Sequence, residues 1–311
     1  MRIAVLGAGA VGGYFGARMA QAGCSVVFVA RGAHLEAIRR HGLRVESPAG
    51  DYTVHPAEAT DAPGSVRDAD AWIVGVKAWQ VPEAAAALRP VAGAESVVVP
   101  LQNGVEAAAQ LAAVLGDDRV LGGSCRILAC VSAPGRIRHV GVDPVLEFGE
   151  RDGRRTGRAL SLLAAFDGAT GATARAVDDI EAAVWQKFLF IAPTSGVGAL
   201  SGTPAQVFRA RPATRAMLVA AMQEVFHLAR ARRVALPDDA VDRALALVDA
   251  LPEGATSSMQ RDMQAGRPSE LESLNGAVVR LARAAGVPAP VNESIHRSLL
   301  PSERRAREER L

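Results

Sequence analysis

Three glycines near the start of the chain have the spacing of a phosphate-binding turn. They follow a short apolar strand, residues 2–6, and lead into a helical stretch that ends at Gly23. In such a unit the first glycine permits a tight turn, the second lets the backbone approach a pyrophosphate, and the third lets helix and strand pack closely. The N–H groups at the helix N-terminus then bind the phosphates. The pattern predicts a dinucleotide-binding site at Gly7, Ala8, Gly9, Ala10, Val11 and Gly12.

The residue after the second predicted strand, residues 24–30, bears on which dinucleotide binds. An NAD-selective site usually carries Asp or Glu about 20 residues beyond the glycines, where it accepts a hydrogen bond from the ribose 2′-OH. This chain has Arg31 there. A guanidinium group cannot accept that bond, but it pairs well with a 2′-phosphate. The sequence therefore predicts NADP(H) as the cofactor, and the alternative for Arg31 is a solvated loop residue.

A lysine interrupts an apolar helix face in the second half of the chain. Ile180, Val184 and Ile191 recur at the helical period, and Lys187 falls inside their stripe. A lysine on such a face either extends to its edge or is held at a site with a partner. Periodicity alone leaves both open, but a partly desolvated ammonium group is suited to proton transfer.

Two further polar residues follow predicted parallel strands. Lys77 comes after the strand at residues 71–76, and Asn103 after the strand at residues 96–101. Open α/β sheets bind ligands at the carboxyl ends of such strands. The structural alternatives are a solvated lysine and an asparagine that opens a helix ending at Leu115.

Serines and acidic residues form cap-like patterns near the C-terminus. Ser269 and Glu272 have the spacing of a capping box, which places Glu270 in the first turn of a helix, where it would complement the helix dipole. Ser257 and Ser258 resemble a local cap for the helix that follows.

Hydrophobic periodicity divides the chain near residue 177. Residues 1–176 alternate strands and helices, which is typical of an α/β Rossmann domain with a doubly wound sheet, whereas residues 177–311 predict an all-helical domain. We expect a strand across 120–131 and a hairpin joining 135–140 to 146–149. A capping box of Asp178 and Glu181 predicts the start of the second domain's first helix. The mixed-charge tail, residues 303–310, predicts a frayed, solvated helix end.

Composition and charge narrow the class of protein. A net charge of +2 over 311 residues, with scattered arginines, predicts neither a nucleic-acid nor a membrane partner. Apolar runs stay below the ~18 residues of a transmembrane helix. The first strand leaves no room for a signal peptide, so a cytoplasmic location and reduced core thiols at Cys24, Cys125 and Cys130 are expected. No metal site is predicted, and the oligomeric state is left open, a homodimer included.

The motifs occur in a characteristic order along the chain. Besides the glycine hexapeptide they are Arg31-Gly32, Lys77-Ala78-Trp79-Gln80, Gln102-Asn103-Gly104-Val105, Trp185-Gln186-Lys187-Phe188, Thr256-Ser257-Ser258-Met259, Glu270-Leu271-Glu272 and Asn275-Gly276. Together they resemble the ketopantoate reductase family from residue 1 to about residue 298. The resemblance implies a Rossmann domain, a helical C-terminal domain and an active site in the cleft between them. It also implies NADPH-dependent reduction of 2-dehydropantoate, a branched 2-keto acid, to pantoate on the route to pantothenate.

The resemblance also implies roles for individual residues. Lys187 would be the general acid that protonates the oxygen as hydride reaches the ketone carbon. Glu270 would bind the substrate hydroxyl and help to hold the lysine, and Asn103 would orient the nicotinamide ribose and the substrate. Ser258 would receive the substrate carboxylate, and Lys77 would lie beside the cofactor.

The sequence departs from the family pattern at two predicted substrate-binding positions. The family usually has asparagines four and eight residues after the lysine, but this chain has Ile191 and Ser195, with Pro193 between them. Isoleucine removes both a hydrogen-bond donor and an acceptor, although Thr194 or Asn103 is an alternative source of the bond. Two other functions therefore stay open: a related reductase for a more apolar 2-keto acid, and a non-catalytic NADPH sensor. A sensor would need none of Lys187, Asn103 and Glu270.

Overall fold

The structure, a computed structural model, describes residues 1–309. Residues 1–102 and 107–180 form one compact unit, and residues 103–106 belong to a second unit with the chain from residue 181 onward. The segment 103–106 is therefore part of the second unit, although the residues on either side of it belong to the first.

In the described chain, the strands and the first five α-helices belong to the first unit. Numbered along the chain, its strands are β1 (Arg2–Leu6), β2 (Ser25–Val29), β3 (Leu43–Glu46), β4 (Tyr52–Val54), β5 (Glu58–Thr60), β6 (Ala71–Val74), β7 (Val97–Pro100), β8 (Gly122–Arg126), β9 (Ala129–Ala133), β10 (Arg136–His139), β11 (Val145–Gly149) and β12 (Thr173–Ala176). Its helices are α1 (Ala10–Gln21), α2 (Gly32–His41), α3 (Val81–Leu88), α4 (Ala107–Leu115) and α5 (Gly157–Ala164).

The main sheet of this unit is parallel, with the strand order β5-β2-β1-β6-β7. The chain runs outward from β1 through β2 in one direction and from β6 through β7 in the other, which is the doubly wound arrangement that the sequence predicts. Apolar side chains on both faces are fully buried, among them Ile3, Phe28 and Trp72. The strand order reverses between β1 and β6, and ligands of such sheets bind beside the carboxyl ends of the strands at that point.

Two smaller sheets contain the residues for which the sequence predicts a single strand, 120–131, and a hairpin, 135–149. Residues 120–131 do not form one strand, because β8 joins the sheet β12-β11-β8 and β9 joins the sheet β4-β3-β10-β9. The predicted hairpin is also wrong, since β10 pairs with β3 and β9, whereas β11 pairs with β8 and β12. The pairing of β10 with β3 joins residues that are distant in sequence, and local patterns carry no information about it. The pairing of β9 with β10 joins neighbouring strands, so the local hairpin lies before β10 and not after it.

The second unit is helical. Its helices are α6 (Ile180–Ser201, which starts in the last residue of the first unit), α7 (Ala205–Phe208), α8 (Pro212–Ala231), α9 (Ala240–Asp249), α10 (Ser258–Gln264), α11 (Asn275–Ala285) and α12 (Pro290–Glu308). They enclose a core that includes Phe188, Met222 and Leu271. Because α6 begins at Ile180, Asp178 lies one position too early to cap it, and its carboxylate instead pairs with Arg155 at 2.5 Å.

The C-terminal tail is more ordered than its charge pattern predicts. Helix α12 extends through the tail to Glu308, with Glu303 2% and Ala306 5% exposed. The prediction of a frayed, solvated end is wrong for this part, and Arg310 lies outside the described residues.

The cysteines and the helix lengths bear on the remaining expectations. Cys125 is buried and Cys24 is half-buried, but Cys130 is exposed, so the expectation of a core thiol is wrong for Cys130. Burial raises the pKa of the Cys24 thiol. Within residues 1–309, no helix combines the length and apolarity needed to span a bilayer, and no group of His, Cys, Asp or Glu is arranged to hold a metal ion.

Candidate functional site

The turn after β1 has the backbone shape that binding a pyrophosphate requires. Gly7 has a φ of +92°, and a Cβ there would lie 2.7 Å from the amide nitrogen of Val76. A Cβ on Gly12 would collide with the carbonyl oxygen of Gly7. At Gly9, by contrast, no other described residue lies within 4 Å of an added Cβ. The first and third glycines therefore allow close packing, and the second leaves the backbone open to a ligand.

The start of α1 supplies donors for an anion. Gly9 precedes the helix and offers no side-chain cap, and the first turn contains no acidic residue. The first N–H groups of a helix lack partners within it, and they carry the positive end of its dipole. A pyrophosphate fits this turn because it needs close backbone approach and amide donors, and both are present.

The two predicted cations of the first unit follow different strands of the sheet. Arg31 comes just after β2 with its side chain 72% exposed, and its guanidinium contacts Glu83 on α3 at 3.2 Å. Lys77 follows β6, and its ammonium lies 5.7 Å from the ring centre of Trp79. Exposed ion pairs are weak, so the contact with Glu83 leaves Arg31 available to a phosphate.

Two residues without a predicted role support this edge of the sheet. The ring of His34 on α2 lies 2.8 Å from the carbonyl oxygen of Ala8, and its Nδ1 accepts a hydrogen bond from the amide of Gly135 at 3.0 Å. The side-chain amide of Gln102 donates to the carbonyl oxygens of Val74 and Val76, both at 2.9 Å. Both residues bond to the backbone, and the sequence pattern holds no signal for such contacts.

In the second unit the structure brings Asn103 and Glu270 together. The side-chain amide of Asn103 donates to Oε2 of Glu270 at 3.0 Å, and Glu270 is only 6% exposed. The predicted helix start at Asn103 is wrong, because α4 begins at Ala107. Gly104 has a φ of +101°, and a Cβ there would lie 2.6 Å from the carbonyl oxygen of Ser273. This glycine therefore allows the segment 103–106 to lie close to the turn that carries Glu270.

The Ser269 cap has a different partner from the predicted one. Ser269 Oγ accepts from the amide of Leu271 at 3.2 Å at the start of a short 3₁₀ turn, Leu271–Ser273. Glu272 does not complete a capping box with it, because its carboxylate contacts His296 at 2.9 Å and Arg280 at 3.1 Å. The hydrogen bond from His296, with the positive charge of Arg280, lowers the pKa of the Glu272 carboxyl.

Lys187 lies on one face of α6 with three other residues of interest. Lys187 and Ile191 are half-buried, whereas Thr194 and Ser195 are 6% and 1% exposed. Both hydroxyl groups are buried and have no hydrogen-bond partner in the described chain. Within residues 1–309 Lys187 forms no ion pair with Glu270, so the lysine-holding role of that carboxylate stays a prediction.

Ser258, the predicted carboxylate-binding residue, is the first residue of α10 and is half-buried. Its neighbour Ser257 caps this helix, accepting a hydrogen bond from the amide of Gln260 at 3.1 Å, as its sequence position predicts. The Ser258 side chain is therefore not needed for the cap.

The doubly wound sheet and its glycine turn are typical of a dinucleotide-binding protein. The family model "Ketopantoate reductase PanE/ApbA" matches residues 3–153, and the model of its C-terminal part matches residues 179–301. The chain belongs to the ketopantoate reductase family and is an NADP-dependent oxidoreductase.

Relatives of known sequence match nearly the whole chain. A 2-dehydropantoate 2-reductase of Halobacterium salinarum is 35% identical, with 94% of this chain and 95% of the relative covered. One from Mesorhizobium japonicum is 32% identical, with 95% of each chain covered.

Solved structures show the same fold. A PanE/ApbA family ketopantoate reductase from Ralstonia eutropha superposes with a TM-score of 0.90 at 31% identity, covering 99% of this chain and 100% of the other. A D-mandelate dehydrogenase shares the fold, with a TM-score of 0.87 at 20% identity and coverage of 97% and 98%. The fold alone therefore does not select the substrate.

Proposed function

We propose that this protein reduces a 2-keto acid with NADPH, and that the substrate is 2-dehydropantoate, which becomes pantoate. The observation that carries the proposal is the hydrogen bond from Asn103 to the buried Glu270 at 3.0 Å. This bond joins residues 167 positions apart in sequence. Burying a carboxylate costs free energy of desolvation, so a buried carboxylate that is held by an amide is a candidate functional group.

The first unit would hold the cofactor. The glycine turn and the amides at the start of α1 would bind its pyrophosphate, and Arg31 would pair with its 2′-phosphate. Lys77 would lie beside it. NADPH supplies a hydride when it is bound.

The second unit would stabilise and protonate the substrate oxygen on which negative charge develops. As the ketone carbon becomes tetrahedral, negative charge develops on its oxygen, and the Lys187 Nζ would donate a proton there to give the hydroxyl group. Asn103 would orient the substrate and hold Glu270 Oε2. Glu270 would then accept a hydrogen bond from the substrate hydroxyl through Oε1, and Ser258 would bind the carboxylate.

A second candidate is the reduction of a more apolar 2-keto acid. The observation that favours it is Ile191, which is half-buried on the Lys187 face of α6 and packs against the apolar core of its unit. Isoleucine offers no hydrogen bond to a substrate hydroxyl, and a site that lacks such a partner loses selectivity for hydroxylated substrates.

The test is the rate of NADPH oxidation by the purified protein over a panel of 2-keto acids. The panel pairs 2-dehydropantoate with branched 2-keto acids of similar size that lack its hydroxyl group. A kcat/KM for 2-dehydropantoate of about 10⁴ M⁻¹s⁻¹ or more, above those of its apolar partners, supports the first candidate. The reverse order supports the second, and no turnover of any 2-keto acid contradicts both.

A further inference from the structure

The Glu303 cluster consists of Glu303, Ser269 and Arg307, and it includes the residue that immediately precedes Glu270. The Glu303 carboxylate accepts hydrogen bonds from the Ser269 amide at 3.1 and 3.0 Å and from the Ser269 hydroxyl at 2.5 Å. It also pairs with the Arg307 guanidinium at 2.7 Å. Its side chain is 1% exposed, so a charged group is buried here with donors on both oxygens.

Every polar group of Ser269 is bound. Its N–H and hydroxyl groups donate to Glu303, its Oγ accepts from the amide of Leu271, and its carbonyl oxygen accepts from Arg307 at 3.1 Å. The following residue, Glu270, is fixed on its other side, because its carbonyl oxygen accepts from the amides of Ser273 and Leu274 at 3.0 Å each. The backbone on both sides of Glu270 is thus held in one conformation.

We infer that Glu303 is a positioning residue that fixes Glu270 for the reaction by binding Ser269. This inference rests on the proposed function, because it assumes that the Glu270 carboxylate acts on the substrate. Burying a carboxylate is costly unless it is fully hydrogen-bonded. The Glu303 carboxylate forms these bonds with Ser269, so it fixes the backbone next to Glu270. A small displacement of a catalytic group lowers the reaction rate by a large factor.

The residues that carry this role lie at the end of the chain. The match to the family's C-terminal model ends at residue 301, two residues before Glu303. Glu303 and Arg307 therefore lie in the last turns of α12, beyond the matched residues.

The experiment is a double-mutant cycle on steady-state kinetics, with the variants E303Q, E270Q and E270Q/E303Q. We expect E303Q to lower kcat about tenfold or more while the KM for NADPH stays unchanged, since the glycine turn is in the other unit. In the E270Q background, E303Q should change kcat by no more than about twofold, because its effect passes through Glu270. The control E308Q, an exposed carboxylate of the same helix, should behave as the wild type.

Three outcomes separate the inference from the proposed function. If E270Q is impaired and E303Q is not, the inference fails and the role of Glu270 stands. If E303Q multiplies the loss of E270Q in full, Glu303 acts on overall folding, and the inference again fails. If E270Q keeps its kcat, the role proposed for Glu270 itself is wrong.

A second variant covers the case in which E303Q does not fold. S269A removes the hydroxyl group and keeps the backbone bonds to Glu303. It should give a smaller loss of kcat that also disappears in the E270Q background, and faster hydrogen exchange at the Leu271 amide. A wild-type kcat in a folded S269A with altered exchange at Leu271 would overturn the inference.

Discussion

The chain contains two lysines, Lys77 and Lys187, among its 35 lysine and arginine residues. Nearly all basic residues of this protein are arginines, and its lysines stand at two candidate site positions. A guanidinium group stays protonated at any ordinary pH, so it binds anions well but does not donate its proton. This usage is the sequence signal that most favours proton transfer at Lys187.

Replacing Lys187 by arginine therefore separates charge from proton donation. We expect both K187R and K187A to lower kcat by about 10²- to 10⁴-fold, the usual contribution of a general acid. The NADPH dissociation constant should not change in either variant, because the cofactor turn lies in the other unit. K77R is the matched control, since binding beside a cofactor needs only a cation. A K187R variant with more than about a tenth of wild-type kcat would show that positive charge alone suffices.

Arg31 provides a test of cofactor choice. R31D should weaken NADPH binding by about 1.5–3 kcal/mol, because a charge-assisted pair with the 2′-phosphate is lost. Glu83 contacts Arg31 and would compete with that phosphate, so E83Q should strengthen NADPH binding. Fluorescence titration with NADPH and NADH measures both effects. Equal affinity of the wild type for the two cofactors would contradict the assignment.

The pair Ile191 and Ser195 decides between the two substrate candidates. Restoring both asparagines, as I191N/S195N, should shift preference toward 2-dehydropantoate by about 1–3 kcal/mol, because hydrogen-bond partners for its hydroxyl return. The ratio of kcat/KM between 2-dehydropantoate and an apolar 2-keto acid measures the shift. T194V is the control, since its buried hydroxyl has no partner in the described chain and is the alternative donor. A loss of 2-dehydropantoate selectivity in T194V alone would assign the bond to Thr194.

At the scale of elements, the strands and turns that the sequence predicts correctly are those that local hydrophobic periodicity or a glycine turn determines. The glycine turn and the strands β1, β2, β6 and β7 lie within a residue or two of their predicted positions. Each is set by local periodicity or by a turn. The predicted pairing of β10 with β11 is wrong, because the two strands belong to different sheets, and the pairing of β10 with the distant strand β3 leaves no local pattern.

Among the site residues, individual positions were easier to predict than contacts. Lys187, Asn103 and Glu270 stand out by type and by motif, but the bond between Asn103 and Glu270 depends on the segment 103–106 leaving the first unit. The sequence predicts a solvated position for Glu303 because its neighbours are charged. Its burial depends on Ser269, which lies 34 residues away.

Gly104 lies in the segment 103–106 and packs closely against Ser273, in the turn that follows Glu270. G104A should cost at least about 1 kcal/mol of stability, because L-residues are disfavoured at positive φ. It should also lower kcat, since its Cβ would push against Ser273 and separate Asn103 from Glu270. G116A is matched, with a φ of +93° and no other described residue within 4 Å of the added Cβ. Thermal unfolding and kcat measured on both variants test this, and an equal fall of kcat in the two would contradict it.

At the scale of the whole molecule, two carboxylates couple stability to pH. The hydrogen bond from Arg158 lowers the pKa of the buried Glu150 carboxyl, and the hydrogen bond from His296 lowers that of Glu272. A lowered pKa means that the unfolded chain takes up these protons first as the pH falls. The stability they contribute is therefore complete above about pH 4.3, the ordinary value for glutamate, and is lost as the pH falls through the folded-state values.

E272Q removes one of these carboxylates from titration. At pH 7 it should be less stable than the wild type, because the bonds to His296 and Arg280 lose their charge. The difference in the free energy of unfolding should shrink as the pH falls below about 4.3, since the wild type then loses the same contribution. Urea unfolding at several pH values between 3 and 7 gives both curves. A gap of constant size over that range would mean that the loss comes from packing, because only a titrating carboxylate makes the gap close.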